Sequence, residues 1–290
     1  MSATHLVVLG LYHIPHSGYI SPEAMVALLS MSASLKTLYL EFESPQSRPN
    51  WESKCLPPPK RSVLPALDQF HFGGVTEYLE VLVTRIDTPQ LHSFSVDFFN
   101  QIDFDCARLS QFINRTPTLS SRAYKACVRF DDQRISISLR TQSWSYGIAI
   151  SWREPHRQLS SVAQVFNSSL HPLSTITVLY IVHRYRKQVW KIDATEAYIE
   201  STLWLQLLLP FSAMKRLYLS KEFAPGITAA VQGPIGGGIT KVLPSLQNVS
   251  VEGSEPLGPV QESNDWQFVA ARLHSDHSIA ISYRDKDSRI

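Results

Sequence analysis

Two histidine pairs are the first candidates for chemistry. His13-Ile14-Pro15-His16 and His274-Ser275-Asp276-His277 each set two imidazoles three residues apart, close enough to share a zinc ion. Zinc needs three or four protein ligands, and no cysteine is placed to complete either set, so both pairs read as loop histidines. The segment Gly233 to Lys241 (GPIGGGITK) has the glycine density of a phosphate cradle. That cradle requires Gly-Lys-Ser/Thr entering a helix, whereas Ile239 and Thr240 precede Lys241 and a strand follows. The run His183-Arg184-Tyr185-Arg186-Lys187 interleaves cations with an aromatic ring, but it is short and reads as a solvated strand end. No serine occupies a Gly-x-Ser-x-Gly elbow. Cys106 and Cys127 lie beside apolar neighbours and read as core residues, and Trp144, Trp152, Trp190 and Trp204 read as gap fillers between layers. These readings predict a chain that is not an enzyme and takes no metal and no cofactor.

Composition narrows the partners. Lys and Arg number 27 against 25 for Asp and Glu, so the net charge is +2 and no global field draws nucleic acid or an anionic membrane. The expected partner is a protein ligand. No segment reaches the ~20 apolar residues that span a bilayer, and the N-terminus has no basic region ahead of its short apolar run. Three widely separated cysteines, Cys55, Cys106 and Cys127, suit reduced thiols, which places the expected compartment in the cytoplasm or nucleus.

The elements that carry these residues repeat. An apolar-x-x-apolar-x-apolar pattern recurs at Leu6-Leu9-Leu11, Leu35-Leu38-Leu40, Leu67-Phe70-Phe72, Leu91-Phe94-Val96, Ile176-Leu179-Ile181, Met214-Leu217-Leu219 and Leu246-Val249-Val251. Consecutive copies start roughly 24 to 38 residues apart. This resembles the strand signature of leucine-rich repeats. The predicted fold is therefore α/β, an irregular leucine-rich-repeat solenoid with a parallel sheet on one face and helices on the other. Helices are predicted from Ser21-Pro22-Glu23 to about Ser32, then near Val75 to Ile86, Phe104 to Asn114, Gln158 to Asn167, Ala194 to Leu209, Glu222 to Val231 and Val260 to Leu273. The proline-rich stretch Ser44 to Leu64 reads as an excursion loop.

Three alternating segments, Ala126 to Phe130, Ile135 to Leu139 and Gly147 to Trp152, lie too close together for crossover helices and predict an inserted antiparallel meander. The expected organisation is one elongated domain over 1–290, with N-terminal repeats in 1–120, the meander in 121–153 and C-terminal repeats in 154–290. A boundary near Ser120 is the alternative.

LKTLYLEF at Leu35 to Phe42, LPALDQFHFGG at Leu64 to Gly74, LHSFSVDFFNQIDFD, WLQLLLPFSAMKRLYLSKEFAP and VLPSLQNVSVEG together resemble the leucine-rich-repeat portion of the expanded F-box-type proteins of mushroom-forming fungi. The resemblance implies the substrate-binding repeat region of an F-box-like ubiquitin-ligase receptor. In that family an N-terminal helical module docks on a Skp-type adaptor of a cullin ligase. No such module is evident ahead of Leu6, so adaptor and cullin are expected as partners only if an F-box is supplied elsewhere. The family's helix after Phe223 is interrupted here by Gln232-Gly233-Pro234 and Gly236-Gly237-Gly238. A truncated or purely structural scaffold of the same family is the alternative.

A recognition surface on such a sheet would lie in its outward residues, which stack in register. The fifth pattern position gives Gly10, Tyr39, His71, Ser95, Tyr180, Tyr218 and Ser250, and the acids Glu41, Asp97 and Glu252 follow two places further on. The candidate protein-binding residues are thus Tyr39, Glu41, His71, Ser95, Asp97, Tyr180, Tyr218 and Ser250. Two readings of the tyrosines stay open, partner recognition or cross-strand packing that stabilises the sheet.

Overall fold

A computed structural model describes residues 5–44, 61–99, 106–131, 134–141, 144–151, 159–164, 173–183, 194–232, 242–252 and 280–284. Most of the proline-rich excursion, the predicted helix at Val260 to Leu273, the second histidine pair, Arg184 to Lys187, GPIGGGITK, Cys55, Trp152 and Trp190 lie outside them. The described residues form a mixed α/β structure whose strands pair mostly in parallel. The chain divides into two compact units, one comprising residues 1–122, 138–151 and 164–171 and the other 123–137, 152–163 and 172–290.

In the first unit, β1 (Val8–Ile14), β2 (Thr37–Phe42), β4 (Gln69–Gly74), β6 (Ser93–Phe98) and β9 (Ser145–Ser151) lie side by side in parallel. Between them run α1 (Pro22–Ser30), α2 (Thr76–Val83) and α3 (Ala107–Arg115). Helix α1 starts where the sequence places it. Ser21 Oγ accepts the Ala24 N–H at 3.2 Å, and Pro22 supplies a first helical position that has no N–H to satisfy. Strand β2 alternates half-buried and buried residues, with Leu38, Leu40 and Phe42 inside and Thr37, Tyr39 and Glu41 on the open face. A short pair that periodicity does not announce, β3 (Ser62–Val63) with β5 (Ile86–Asp87), forms a second small sheet.

Side chains tie α2 to α3 at both ends. Glu80, on α2 and 6 % exposed, accepts the backbone N–H groups of Arg108 and Leu109 at 2.8 and 2.7 Å, so its carboxylate caps α3 from a neighbouring helix. At the other end of α3 the Arg115 guanidinium donates to Asp87 Oδ1 at 3.0 Å, to the Ile86 carbonyl at 2.9 Å and to the Val83 carbonyl. Burial lowers the Arg115 pKa while the Asp87 carboxylate opposes that shift.

In the second unit β7 (Lys125–Phe130), β10 (Val178–His183), β11 (Arg216–Ser220), β12 (Asn248–Glu252) and β13 (Ala280–Arg284) pair in parallel in that order. Its helices include α5 (Ala194–Leu208) and α6 (Ala224–Gln232), which pack together; the predicted helix at Gln158 to Asn167 appears as α4 over 159–164. Strand β8 (Arg134–Arg140) follows β7 through a turn in which the Asp131 N–H reaches the Arg134 carbonyl at 2.9 Å. It leads to β9 through a second turn, where the Thr141 N–H reaches the Trp144 carbonyl at 3.1 Å. The two reversals make the sequence-predicted meander, and β8 shares its residues between the units.

The same local geometry recurs before successive strands. The N–H of the first pattern residue turns back to the carbonyl three residues earlier: Leu35 to Ser32, Leu67 to Leu64 and Leu91 to Thr88 in the first unit, Ile176 to Leu173, Met214 to Phe211 and Leu246 to Leu243 in the second. One carbonyl then accepts two successive N–H groups of the next strand. Val7 serves Lys36 and Thr37, Lys36 serves Asp68 and Gln69, and Asp68 serves His92 and Ser93; in the second unit Tyr124, Thr177 and Lys215 do the same.

Aromatic rings fill the covered side of the first unit. Phe70, Phe94 and Tyr146 stack across three strands, with centroids 5.3 and 5.6 Å apart. In the second unit Trp204 packs on Phe130 and Phe223 at 5.9 and 5.5 Å. Burial pushes the Tyr19 phenol up to about 12, with Glu23 adding to the shift, and raises Tyr78 and Tyr146 further. The hydroxyls of these three tyrosines have no partner among the described residues.

Candidate functional site

Register settles which outward residues are neighbours. In the first unit Gly10, Tyr39, His71, Ser95 and Gly147 are successive partners across β1, β2, β4, β6 and β9. Tyr39, His71 and Ser95 are all half-buried, leaving each with an accessible part. The Tyr39 ring lies 5.9 Å from His71 and 5.5 Å from Tyr12, which is 55 % exposed. Gly10 has a steric reason: a Cβ there would sit 2.7 Å from the Tyr12 ring, so the missing side chain lets Tyr12 fold across the sheet toward Tyr39.

His71 Nδ1 and Ser95 Oγ are 2.7 Å apart. A serine hydroxyl held by an imidazole is half of a nucleophile and base pair, but acyl transfer also needs a group that orients the imidazole and donors for the oxyanion. Among the described residues His71 meets only Ser95 and the Tyr39 ring. The pair instead fixes one edge of a row of aromatic and polar groups.

Glu41 and Asp97 flank this row at the next outward register position, with Gly73 between them. A Cβ on Gly73 would lie 2.9 Å from Glu41 Cγ, so the glycine leaves room for the Glu41 side chain to lie across it. His13 Nδ1 approaches Glu41 Oε1 at 3.8 Å. His13 is the one described non-glycine residue in the left-handed region, with φ 50°, and sits where the β1–β2 register shifts. His92 and Asp68 form a further pair at 2.8 Å.

In the second unit Cys127, Tyr180, Tyr218, Ser250 and Ser282 are in register across β7, β10, β11, β12 and β13. Tyr180 and Tyr218 stack nearly parallel, 4.3 Å apart at 6°. The Lys125 ammonium lies over the other side of the Tyr180 ring at 4.4 Å. Tyr180 is 8 % exposed and packs with Cys127 and Val178, against which Val182 and Tyr218 also lie. Its ring is thus enclosed, and for Tyr180 the packing reading is the one the geometry favours. Tyr218 and Ser250 are half-buried.

Sequence reasoning missed Gly147 and Cys127 as members of these rows, and Tyr12 and Lys125 as side chains that lie against their rings. The pattern is blind to Tyr12 and Lys125 because one follows and the other precedes the pattern position. Gly147 and Cys127 belong to the meander, where the spacing is broken, and only pairing with β6 and β10 brings them into line.

Among the described residues there is no group of three His, Cys, Asp or Glu side chains that could hold a metal, and no helix long and apolar enough to cross a membrane. Comparison with protein-family models, with curated proteins and with solved structures finds no match.

Proposed function

We propose that this chain is a protein-recognition module without covalent chemistry, the substrate-binding repeat region of an F-box-like ubiquitin-ligase receptor built as an irregular leucine-rich-repeat solenoid. The recurrent turn and the doubly accepting carbonyl before β2, β4, β6, β10, β11 and β12 support a repeating unit. The observation that carries recognition is the row Tyr39, His71 and Ser95, in register across three adjacent strands of the first unit, with the Tyr12 ring of β1 lying against Tyr39, each with accessible surface. Such a row offers apolar ring area with polar ends, the combination from which binding hot spots are made. A scaffold reading draws its support from the enclosed, stacked Tyr180.

The test is affinity capture of the tagged chain and of a Tyr39→Ala/His71→Ala variant from an extract of a mushroom-forming fungus, read by mass spectrometry. Recognition predicts a set of proteins captured by the parent and lost from the variant, with circular dichroism of the two unchanged. Equal capture by both forms would leave the scaffold reading. A Skp-type adaptor and cullin in both captures would support ligase membership.

A further inference from the structure

The open face of the first unit carries charge of one sign. Its outward positions on β1, β2, β4, β6 and β9 hold the carboxylates of Glu41 and Asp97 and, among the described residues, no Lys or Arg. Lys36, which precedes β2, lies about 17 Å from Glu41 along an extended strand, beyond the ~10 Å over which exposed charges act in 0.1 M salt. The groups around Glu41 are accessible. Its side chain keeps 34 % of its surface, Tyr12 is 55 % exposed, and Tyr39, His71 and Asp97 are half-buried. The ionic contact that Glu41 makes among the described residues is with His13 at 3.8 Å, itself 77 % exposed. No described Lys or Arg lies over the Tyr12 or Tyr39 ring.

Small residues leave room between and beside the two acids. Gly73 separates Glu41 from Asp97 in register, and Ala149 follows Asp97, so nothing larger than a methyl group flanks Asp97 in its row. The Glu41 and Asp97 backbones stand about 10 Å apart, two strand spacings. Glu41 Cγ lies 2.9 Å from where a Gly73 Cβ would be, so the Glu41 side chain leans over β4 on the side of Asp97. Asp97 contributes its charge, which it keeps whatever else its oxygens accept. Like charges held across one glycine repel, and a cation over that glycine relieves the repulsion and pairs with both. A guanidinium fits this place best. Its fork matches a carboxylate, and its aliphatic stem suits the Tyr39 and His71 rings, which lie about 7 Å away at the preceding outward position.

We propose that the open face of the first unit binds a protein segment through an arginine, its guanidinium over Gly73 between Glu41 and Asp97 and its stem and neighbouring residues against Tyr39 and His71. The proposal deepens the recognition reading above and rests on it, adding the chemistry of the partner.

The probe is the end-blocked heptapeptide Gly-Tyr-Ser-Arg-Ser-Tyr-Gly, titrated into the full chain by isothermal calorimetry at low and at physiological salt. Its controls carry Gln or Glu in place of Arg, and spermidine stands for a free polyamine. The arginine peptide is expected to bind about tenfold more tightly than the glutamine peptide, and more weakly as salt rises. Glu41→Arg is expected to reverse the order, weakening the arginine peptide about tenfold and gaining the glutamate peptide, with circular dichroism unchanged. Because the peptide comparison uses the parent chain, its result does not depend on the variant folding. Equal binding of the arginine and glutamine peptides, no binding of either, tighter binding of spermidine than of the arginine peptide, or no gain of the glutamate peptide by folded Glu41→Arg would each overturn the proposal. Proteins captured from the extract equally by the parent and by Glu41→Arg, yet lost from Tyr39→Ala/His71→Ala, would leave recognition standing and sink this inference alone.

Discussion

Glu80 shows how one side chain can decide the fate of two elements. Its carboxylate satisfies two N–H groups at the start of α3 from a site on α2, so Glu80→Ala removes a cap and leaves one buried and one part-buried donor without that acceptor. The expected cost is about 2 to 3 kcal/mol, measured by urea denaturation. Arg115 carries the opposite end of α3, and Arg115→Met keeps the aliphatic packing while losing three acceptors, for a loss of about 2 to 4 kcal/mol by the same measurement. The buried tyrosines impose a pH limit. Tyr19 titrates near 12 in the folded chain against an ordinary value of 10.0, and Tyr78 and Tyr146 are raised further. A raised pKa means that their contribution is complete below about pH 10 and is lost as pH climbs, because the unfolded chain releases these protons first. Stability should therefore fall above about pH 10, and Tyr78→Phe, which deletes a hydroxyl with no partner among the described residues, should flatten that fall and cost little at pH 7.

At the scale of elements, the strand pattern and helix caps were legible because they depend on near neighbours. Ser21-Pro22-Glu23 announces α1, and the alternation of β2 announces which of its residues are buried. Less legible was the turn that sets each strand. Ser32, Leu64, Thr88, Leu173, Phe211 and Leu243 all offer a carbonyl three residues ahead of the pattern, and all are buried, yet one is a serine, one a threonine and one a phenylalanine. Position, not residue type, defines them. Ala280–Arg284 was missed as a strand because its apolar residues are few and no pattern copy begins it; pairing with β12 supplies the backbone partners. The outward row was legible as far as its periodicity held, but the enclosure of Tyr180 arises from Lys125 and Cys127 on a strand of the meander, which lies far away in sequence. Leu64→Ala should test the turn: loss of a side chain 1 % exposed predicts about 2 to 4 kcal/mol by denaturation, whereas Ser44→Ala at the exit of β2 should change little.

Across the whole molecule, the described strands of the first unit end in β1, whose outer edge has no pairing strand among the described residues. Val7 just ahead of it and Val8 and Tyr12 on it are 45, 56 and 55 % exposed, with no charge to discourage another strand. Val8→Lys is expected to slow concentration-dependent association, followed by light scattering, while changing stability by no more than about 0.5 kcal/mol. The two compact units also each enclose an indole: Trp144 is 4 % exposed and donates to Ser121 Oγ in the first, and Trp204 is fully enclosed in the second. An indole shielded from water emits at shorter wavelength than one in contact with it. Chains retaining only Trp144 or only Trp204 would thus report the opening of one unit at a time by a red shift in emission. Coincident shifts during denaturation would mark a single cooperative transition, and separated shifts would mark two.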